Sequence, residues 1–424
     1  MRSRVRAVVH ETFKSLRYRN FRLFFFGQLV SQVGNWLTMV ALTLLVLDLT
    51  HSGVVLGLLA AAQFGPVLVI GPFAGLVADR SDKRRLLLTV QSVAMVQSFL
   101  LATLAFMDHP PLAGLFVVAL LGGFTVAFDN PARRAFVVEM VPTDDDVNNA
   151  VSLNSALMTC SRVVGPAVAG LLVTVVGYGW TFSADGLSYA AVLVALWLID
   201  PKALRRPPVP ERKRGQVREG IRYARSVPEL RVPLLMMAVI GTLAFNFSTV
   251  LPLFTIRDLH GTDLTFTLLM SVLSVGSLVG ALHAARRQII TVRTVSVAAV
   301  GFGASMTLLA LAPGEAVAFL LAVGVGFASV LFLTASTAIV QIEAAPEMRG
   351  RVLALQSMVF LGSTPIGGPV VGTIAERFGA RYSLVLGAVA ALGAGAFGLL
   401  SVRGSRRSEP PEAPSGADVS PLAA

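Results

Sequence analysis

The sequence predicts an all-α membrane protein, with about twelve transmembrane helices in two pseudo-symmetric six-helix bundles around a central cavity. Three observations carry that expectation. Of 424 residues, 54% are apolar and only 14% charged, with a mean hydropathy of +0.73; an ordinary soluble domain carries about a quarter charged residues. Apolar runs long enough to cross a bilayer recur along the chain, separated by loops that are alternately rich and poor in Arg and Lys. The two halves of the chain also resemble each other at corresponding places.

The stretch that fixes the topology is Gly75-Leu76-Val77-Ala78-Asp79-Arg80-Ser81-Asp82-Lys83-Arg84-Arg85, between the uncharged runs Val54 to Ala78 and Leu86 to Met107. Charges this dense between two runs of membrane length describe a tight turn at a lipid–water interface. Its basic residues place it on the cytoplasmic side, and the other loops follow by alternation. Residues 1–20, with Arg2, Arg4, Arg6, Lys14, Arg17 and Arg19, read as a basic lead lying on the inner leaflet. The first apolar run is long enough to stay as a span, so no cleaved signal peptide is expected.

Residues 21–199 hold the first bundle. Its spans run from Phe21 to Leu47, over the two runs already given, and from Leu112 to Phe128 before a loop Asp129-Asn130-Pro131-Ala132-Arg133-Arg134. The fifth goes from Val147 to the turn Gly177-Tyr178-Gly179, and the sixth on to Ile199. Residues 200–231 are polar, arginine-rich and broken by proline, and form a cytoplasmic central loop in which Gln216 to Arg225 reads as a surface helix. The second bundle, 232–402, has spans at roughly 232–256, 264–285, 289–312, 315–341, 350–375 and 381–402. Residues 403–424 read as a disordered cytoplasmic tail. Basic loops at Arg80–Arg85, Arg133–Arg134, Arg286–Arg293 and Arg349–Arg351 all fall on one side, while the opposite loops hold only Arg257, Arg377 and Arg381. That asymmetry obeys the positive-inside rule.

Glu139 to Pro142 corresponds to Glu343 to Pro346, Ala150 to Ala354, Gly165-Pro166 to Gly368-Pro369, and Gly177 to Gly379, at separations of about 203 residues. A parallel duplication of six spans, with the site at the junction, is the architecture of alternating-access carriers.

Composition also excludes functions. The net charge of +11 is confined to loops and ends, so it reads as topology and attraction to anionic lipid rather than a groove for nucleic acid. A single cysteine, Cys160, rules out an intrachain disulfide and a multi-cysteine metal site. The five histidines are scattered, and no phosphate-binding Gly-rich loop with Lys-Ser/Thr occurs, so neither an intramembrane enzyme nor a self-contained ATP-hydrolysing pump is expected.

Gly75, Asp79, Arg80, Lys83 and Arg84 resemble the loop motif of the major facilitator superfamily, with Asp82 where that motif has its second glycine. Asp tolerates a left-handed turn there better than most residues. The resemblance implies a gate in which Asp79 accepts hydrogen bonds from the N-terminus of span eleven; the alternative is a plain topological turn. Phe128 to Arg134, Glu139 to Pro142, Asn149 to Ser155 and Arg162 to Gly170, in that order, are similar to the branch of enterobactin exporters and macrolide-efflux-type carriers, also called transmembrane secretion effectors. That likeness implies export of an amphipathic small molecule (drug, macrolide or siderophore type) by a secondary transporter, through proton antiport. An importer of the same fold is the alternative, and a membrane scaffold a more remote one. Small-molecule substrate and membrane lipid are the expected partners, with no cofactor beyond the proton gradient. The expected form is a monomer in a bacterial-type cytoplasmic membrane, both termini cytoplasmic.

Gly165, Pro166 and Gly170 resemble the span-five motif of antiporters, and Gly368-Pro369 is its second-half copy; both read as kinked, closely packing segments. Gln28, Gln32 and Asn35 share one face of span one, beside Trp36. With Phe245, Asn246 and Thr249 of span seven they are the substrate-cavity candidates; interhelical hydrogen bonding is the other reading. Arg162 lies well inside span five, and three readings stay open: a contact to substrate, a reach to the interface, or a structural pair with Asp129 or, second, Glu139. No acid lies at mid-membrane in span one or four, and Asp48 and Asp185 are placed towards the outer side, which leaves the coupling carboxylate open.

Overall fold

The computed structural model describes residues 13–205, 216–284 and 290–407. Expectations that rest on residues 1–12, 206–215, 285–289 and 408–424 lie outside the described residues. Among the described residues eleven helices are long and apolar enough to cross a membrane. One of them, Asp144–Leu198, leaves helical geometry at Gly177, where φ is 83° and ψ 174°. It is therefore two membrane-length helices, and the spans number twelve.

We number them α1 (Arg19–Thr50), α2 (Gly53–Arg80), α3 (Lys83–Ala105), α4 (Leu112–Glu139), α5 (144–176) and α6 (178–198) in the first half. The second half holds α7 (Pro228–Asp258), α8 (Asp263–Ala284), α9 (Val292–Ala310), α10 (Glu315–Glu343), α11 (Pro346–Phe378) and α12 (Ala380–Arg407). Between Leu243 and Phe247 α7 is interrupted, and it ends in a π turn, Phe254–Asp258.

The duplication is visible in the packing. In the first bundle α1 packs on α5 and α6, α2 on α4, and α3 on α4 and α6; α7 to α12 repeat the same pairings. The backbone repeats its strained points as well. Among the described residues, positive φ occurs at Gly177 and Gly379, which end α5 and α11, and at His51 and His260, just past α1 and α7. The bundles meet along α2–α11 and α5–α8, two contacts related by the same pseudo-two-fold. Around the outside run exposed apolar side chains such as Val69, Val175, Trp197 and Leu320. Such a belt suits hydrocarbon, where helices satisfy their own backbone.

Three expectations change. Asp129 to Arg134 is not a loop: α4 continues as helix through Pro131 to Glu139, so Arg133 is buried inside a span. Asp82 is not in a left-handed turn. Its backbone is extended (φ −64°, ψ 107°), and its carboxylate caps α3 by accepting from Arg85 N at 3.1 Å. The described end of the basic lead docks on protein rather than lying free on the membrane. Lys14 and Arg17 pair with Asp146 at 3.1 and 2.8 Å, and Ser15 N donates to Asn149 at 3.0 Å. The surface helix of the central segment, Gln216–Ser226, is present and pinned to α11 through Arg351–Glu219 at 2.6 Å.

Candidate functional site

The two ends of the bundle junction differ. At the end away from the chain termini, α2 and α11 cross with their backbones nearly touching: a Cβ on Gly57 would overlap the Gly368 carbonyl and Pro369 Cα, and one on Gly53 would overlap the Gly372 carbonyl. Glu376, near the end of α11, accepts from Ser52 Oγ at 2.5 Å and Val54 N at 2.9 Å, so it caps the start of α2. The Arg257 guanidinium donates to the His51 carbonyl across the same seam. On the other side of the junction Gly170 of α5 lies against Thr267 of α8. This far end is closed.

Among the described residues no equivalent contact joins the bundles at the basic end. Asp79 and Arg80 are exposed, and neither Gly75 nor Gly350 has an atom within 4 Å of where a Cβ would stand. Asp79 makes no hydrogen bond or ion pair among the described residues, so its expected contact with the start of α11 is not made in this structure. The contact exists at the opposite end with the roles exchanged, α11 supplying the carboxylate and α2 the helix N-terminus. Lys83 and Arg84 act inside the first bundle: Lys83 pairs with Glu139 at 3.0 Å, and Arg84 donates to the carbonyls of Leu196 and Trp197 at 2.7 and 2.9 Å.

The polar face of α1 is turned inward. Gln28 and Gln32 are buried; Gln32 donates to Gln28 at 3.0 Å, and Arg133 of α4 reaches Gln28 at 3.5 Å. Arg133 also holds Asp129 at 3.0 Å and Asn130 at 2.9 Å, and Gln91 of α3 donates to Asp129 at 2.6 Å. Asn35 accepts from Tyr189 of α6 at 2.8 Å, while Trp36 covers Gly165 of α5, one residue before the buried Pro166. On the second side Asn246 and Thr249 are buried, with Asn246 donating to Thr242 O at 2.7 Å, and Phe245 joins a ring cluster with Phe247, Phe302 and Phe360. Gln28, Gln32, Asn246 and Thr249 thus lie in helix packing, whereas Asn35, Trp36 and Phe245 are half-buried. The exposed side of α1 carries Phe26, Leu29 and Val30 instead. The sequence pattern identified the polar stripe, but a polar stripe in a membrane protein can face a polar neighbour as readily as water.

The expected partners of Arg162 are both taken, Asp129 by Arg133 and Glu139 by Lys83. Arg162 is exposed and has no hydrogen bond or ion pair among the described residues. Asp185 is the residue that sequence reading undervalued. It is fully buried on α6, and its carboxylate accepts from Thr38 of α1 at 2.5 Å, Ser98 of α3 at 2.7 Å and Ser188 at 3.4 Å. Thr38 and Ser98 stand well inside their helices, which puts Asp185 away from either end. No metal-holding cluster of His, Cys, Asp or Glu is found among the described residues.

Comparison with known proteins places this arrangement. A family model described as transmembrane secretion effector matches residues 10–413. The staphyloferrin A transporter of Staphylococcus aureus is 27% identical over 266 residues, which are 62% of this chain and 66% of that protein. Macrolide efflux protein A of Streptococcus pyogenes is 24% identical over 383 residues, 87% of this chain and 94% of that one. Among solved structures, an inward-facing, unoccupied bacterial homolog of the human lysosomal transporter Spinster superposes with a TM-score of 0.71 at 17% identity, covering 93% of this chain and 99% of that one. At that identity the likeness is one of fold.

Proposed function

The chain belongs to the transmembrane secretion effector family of the major facilitator superfamily and is a multi-pass membrane transporter; from that premise we propose that it exports amphipathic small molecules by alternating access, driven by protons. The single observation that carries the reading is the inequality of the two ends: one sealed by the α2–α11 crossing and the Glu376 cap, the other without such a seal among the described residues. A carrier cycles between two such states, with the site at the junction of its repeats. In the opposite state Asp79 caps α11 as Glu376 caps α2 here, and the far end opens. The basic end is cytoplasmic by the positive-inside rule, which puts both termini inside a bacterial cytoplasmic membrane. The name of one relative, a macrolide efflux protein, supports outward movement, and that of another, a staphyloferrin A transporter, supports a siderophore-type cargo.

Proton coupling needs a carboxyl that can be occupied or empty in a water-poor setting. Asp185 has that setting and, among the described residues, no cationic partner. Its hydroxyl neighbours can donate to a carboxylate or turn to accept from a carboxylic acid, so either form keeps its hydrogen bonds.

Inverted vesicles carrying the full chain should accumulate members of a panel of dyes, macrolides and siderophores when acid inside, and lose them when a protonophore is added. Gradient-independent distribution of every member would overturn the proton-driven reading; accumulation only in right-side-out vesicles would make the protein an importer. In the same assay Asp79→Asn should reach the membrane in normal amount but slow transport about tenfold or more. Full activity in that variant would reduce the loop to a topological signal.

A further inference from the structure

We propose that Arg162 is the docking point for an anionic group on the transported molecule, so that the cargo is an amphipathic anion rather than a cation. The proposal rests on the transporter reading and names the substrate class for it.

The position of Arg162 on α5 is set by its neighbours. The apolar side chains Val164 and Leu171, both exposed, lie roughly 160° and 180° around the helix from it. They belong to the lipid-facing belt, so Arg162 faces the opposite way, towards the junction of the bundles. Val151, Ser155 and Arg162 fall on one stripe at i, i+4 and i+11, and all three are exposed. The stripe then disappears into packing. Ala169, its next member, is fully buried, Pro166 beside it is buried, and Gly165 and Gly170 lie against Trp36 and Thr267. Arg162 is therefore the last exposed residue on the stripe before the far-end seal, at the head of a cleft that opens at the basic end.

Among the described residues no acid balances its charge. Between the loop ends of the first bundle the other ionised positions are Asp129, Arg133, Arg134 and Asp185, of which only Asp129 and Asp185 are acids. Asp129 and Arg133 neutralise each other, and Asp185 is enclosed by hydroxyls of α1, α3 and α6. Thr38, which holds Asp185, and Trp36, which covers α5 beside Arg162, are two residues apart on α1, so their side chains leave it on nearly opposite faces. The helix thus stands between the two charges. Across the cleft, α7 to α12 carry acids only in their first or last turns, such as Glu229, Asp258, Asp263, Glu315, Glu343, Glu347 and Glu376. A guanidinium cannot shed its proton. At membrane depth it is held by an anion or by water, and a bound carboxylate or phosphate would replace that water with a bidentate contact. The apolar side chains Phe26, Leu29 and Val30 exposed on α1 offer a surface for the rest of an amphipathic molecule.

Two measurements on the full chain test this. Phenylglyoxal, which modifies arginine, should label Arg162, read by peptide mass spectrometry. Decanoate or octyl phosphate should protect it at concentrations where decyltrimethylammonium does not. In vesicles, the parent should move amphipathic carboxylates in preference to lipophilic cations of equal size. Arg162→Gln should lower apparent affinity for the anions about tenfold or more, with Arg162→Lys in between, since lysine keeps the charge but not the fork. Labelling unaffected by either anion, or equal protection by the cation, overturns the proposal. So does a parent that moves only cations, with Arg162→Gln unchanged, in which case the transporter reading stands. A parent that moves neither class fails the transporter reading itself.

Discussion

Asp185→Asn should abolish gradient-driven accumulation while leaving downhill exchange of the same substrate nearly intact. The carboxylate is fully buried and held by Thr38, Ser98 and Ser188. No charged side chain faces it from the elements packed around it: α1 has none between Arg22 and Asp48, α3 none after Arg85, and α6 none besides Asp185 itself. The nearest titratable neighbour in sequence is Tyr189, one turn on, whose hydroxyl is given to Asn35. Asn matches the shape and keeps an acceptor for the hydroxyls, so the cost to folding should be about 1 kcal/mol or less. What it cannot do is take up and release a proton. If Asp185 carries the coupling proton, substrate-driven alkalinisation or acidification of vesicles should vanish in Asp185→Asn while radiolabel exchange across equal concentrations persists. A variant that still concentrates substrate against its gradient would move the coupling elsewhere. Loss of exchange and of folded protein together would make Asp185 a structural tie between α1, α3 and α6.

Much of this architecture was legible in the sequence because a bilayer leaves few alternatives. Twelve apolar runs and a one-sided distribution of Arg and Lys determine helices and alternation, and the observed helices begin and end within a few residues of the expected runs in most cases. The misplaced end of α4 shows where that logic stops. Asp129, Asn130, Pro131 and Arg133 look like a loop when charge is counted, yet the pair Asp129–Arg133 at i, i+4 neutralises itself on the helix surface and Gln91 completes it from α3. The site was less legible for the same reason. Whether Gln28 faces a cavity or Arg133, and whether Asp185 lies towards the outer side or among three hydroxyls from three helices, depends on helix rotation and neighbours. Sequence spacing gives a face but not what stands opposite it. The Glu376 cap on α2 was hidden too, since a carboxylate near a helix end reads as solvated until its partner helix is placed.

Gly57→Ala, a single methyl group, should nearly stop transport. On a solvent-facing helix this exchange would raise helix stability by about 1 kcal/mol. At Gly57 the new Cβ would stand inside contact distance of the Gly368 carbonyl and the Pro369 backbone, neither of which can rotate away as a side chain could. The helices α2 and α11 must then separate, and separation at that crossing also draws Glu376 from Ser52 and Val54 N. Packed interfaces yield by moving to another state rather than by deforming smoothly. The variant should therefore favour a state open at the far end. Ala169→Cys, made in a Cys160→Ser background, reports on this, because Ala169 is fully buried beyond Arg162 in the present state. A membrane-impermeant maleimide applied from the far side should label that cysteine slowly in the parent and about tenfold faster with Gly57→Ala, a population change of ~1.4 kcal/mol. Gly71→Ala supplies the control on the same helix, since no atom lies within 4 Å of its added methyl. It should transport and label like the parent. If Gly57→Ala transports normally and leaves the reporter unreactive, the α2–α11 crossing tolerates a wider spacing and is not what seals the far end.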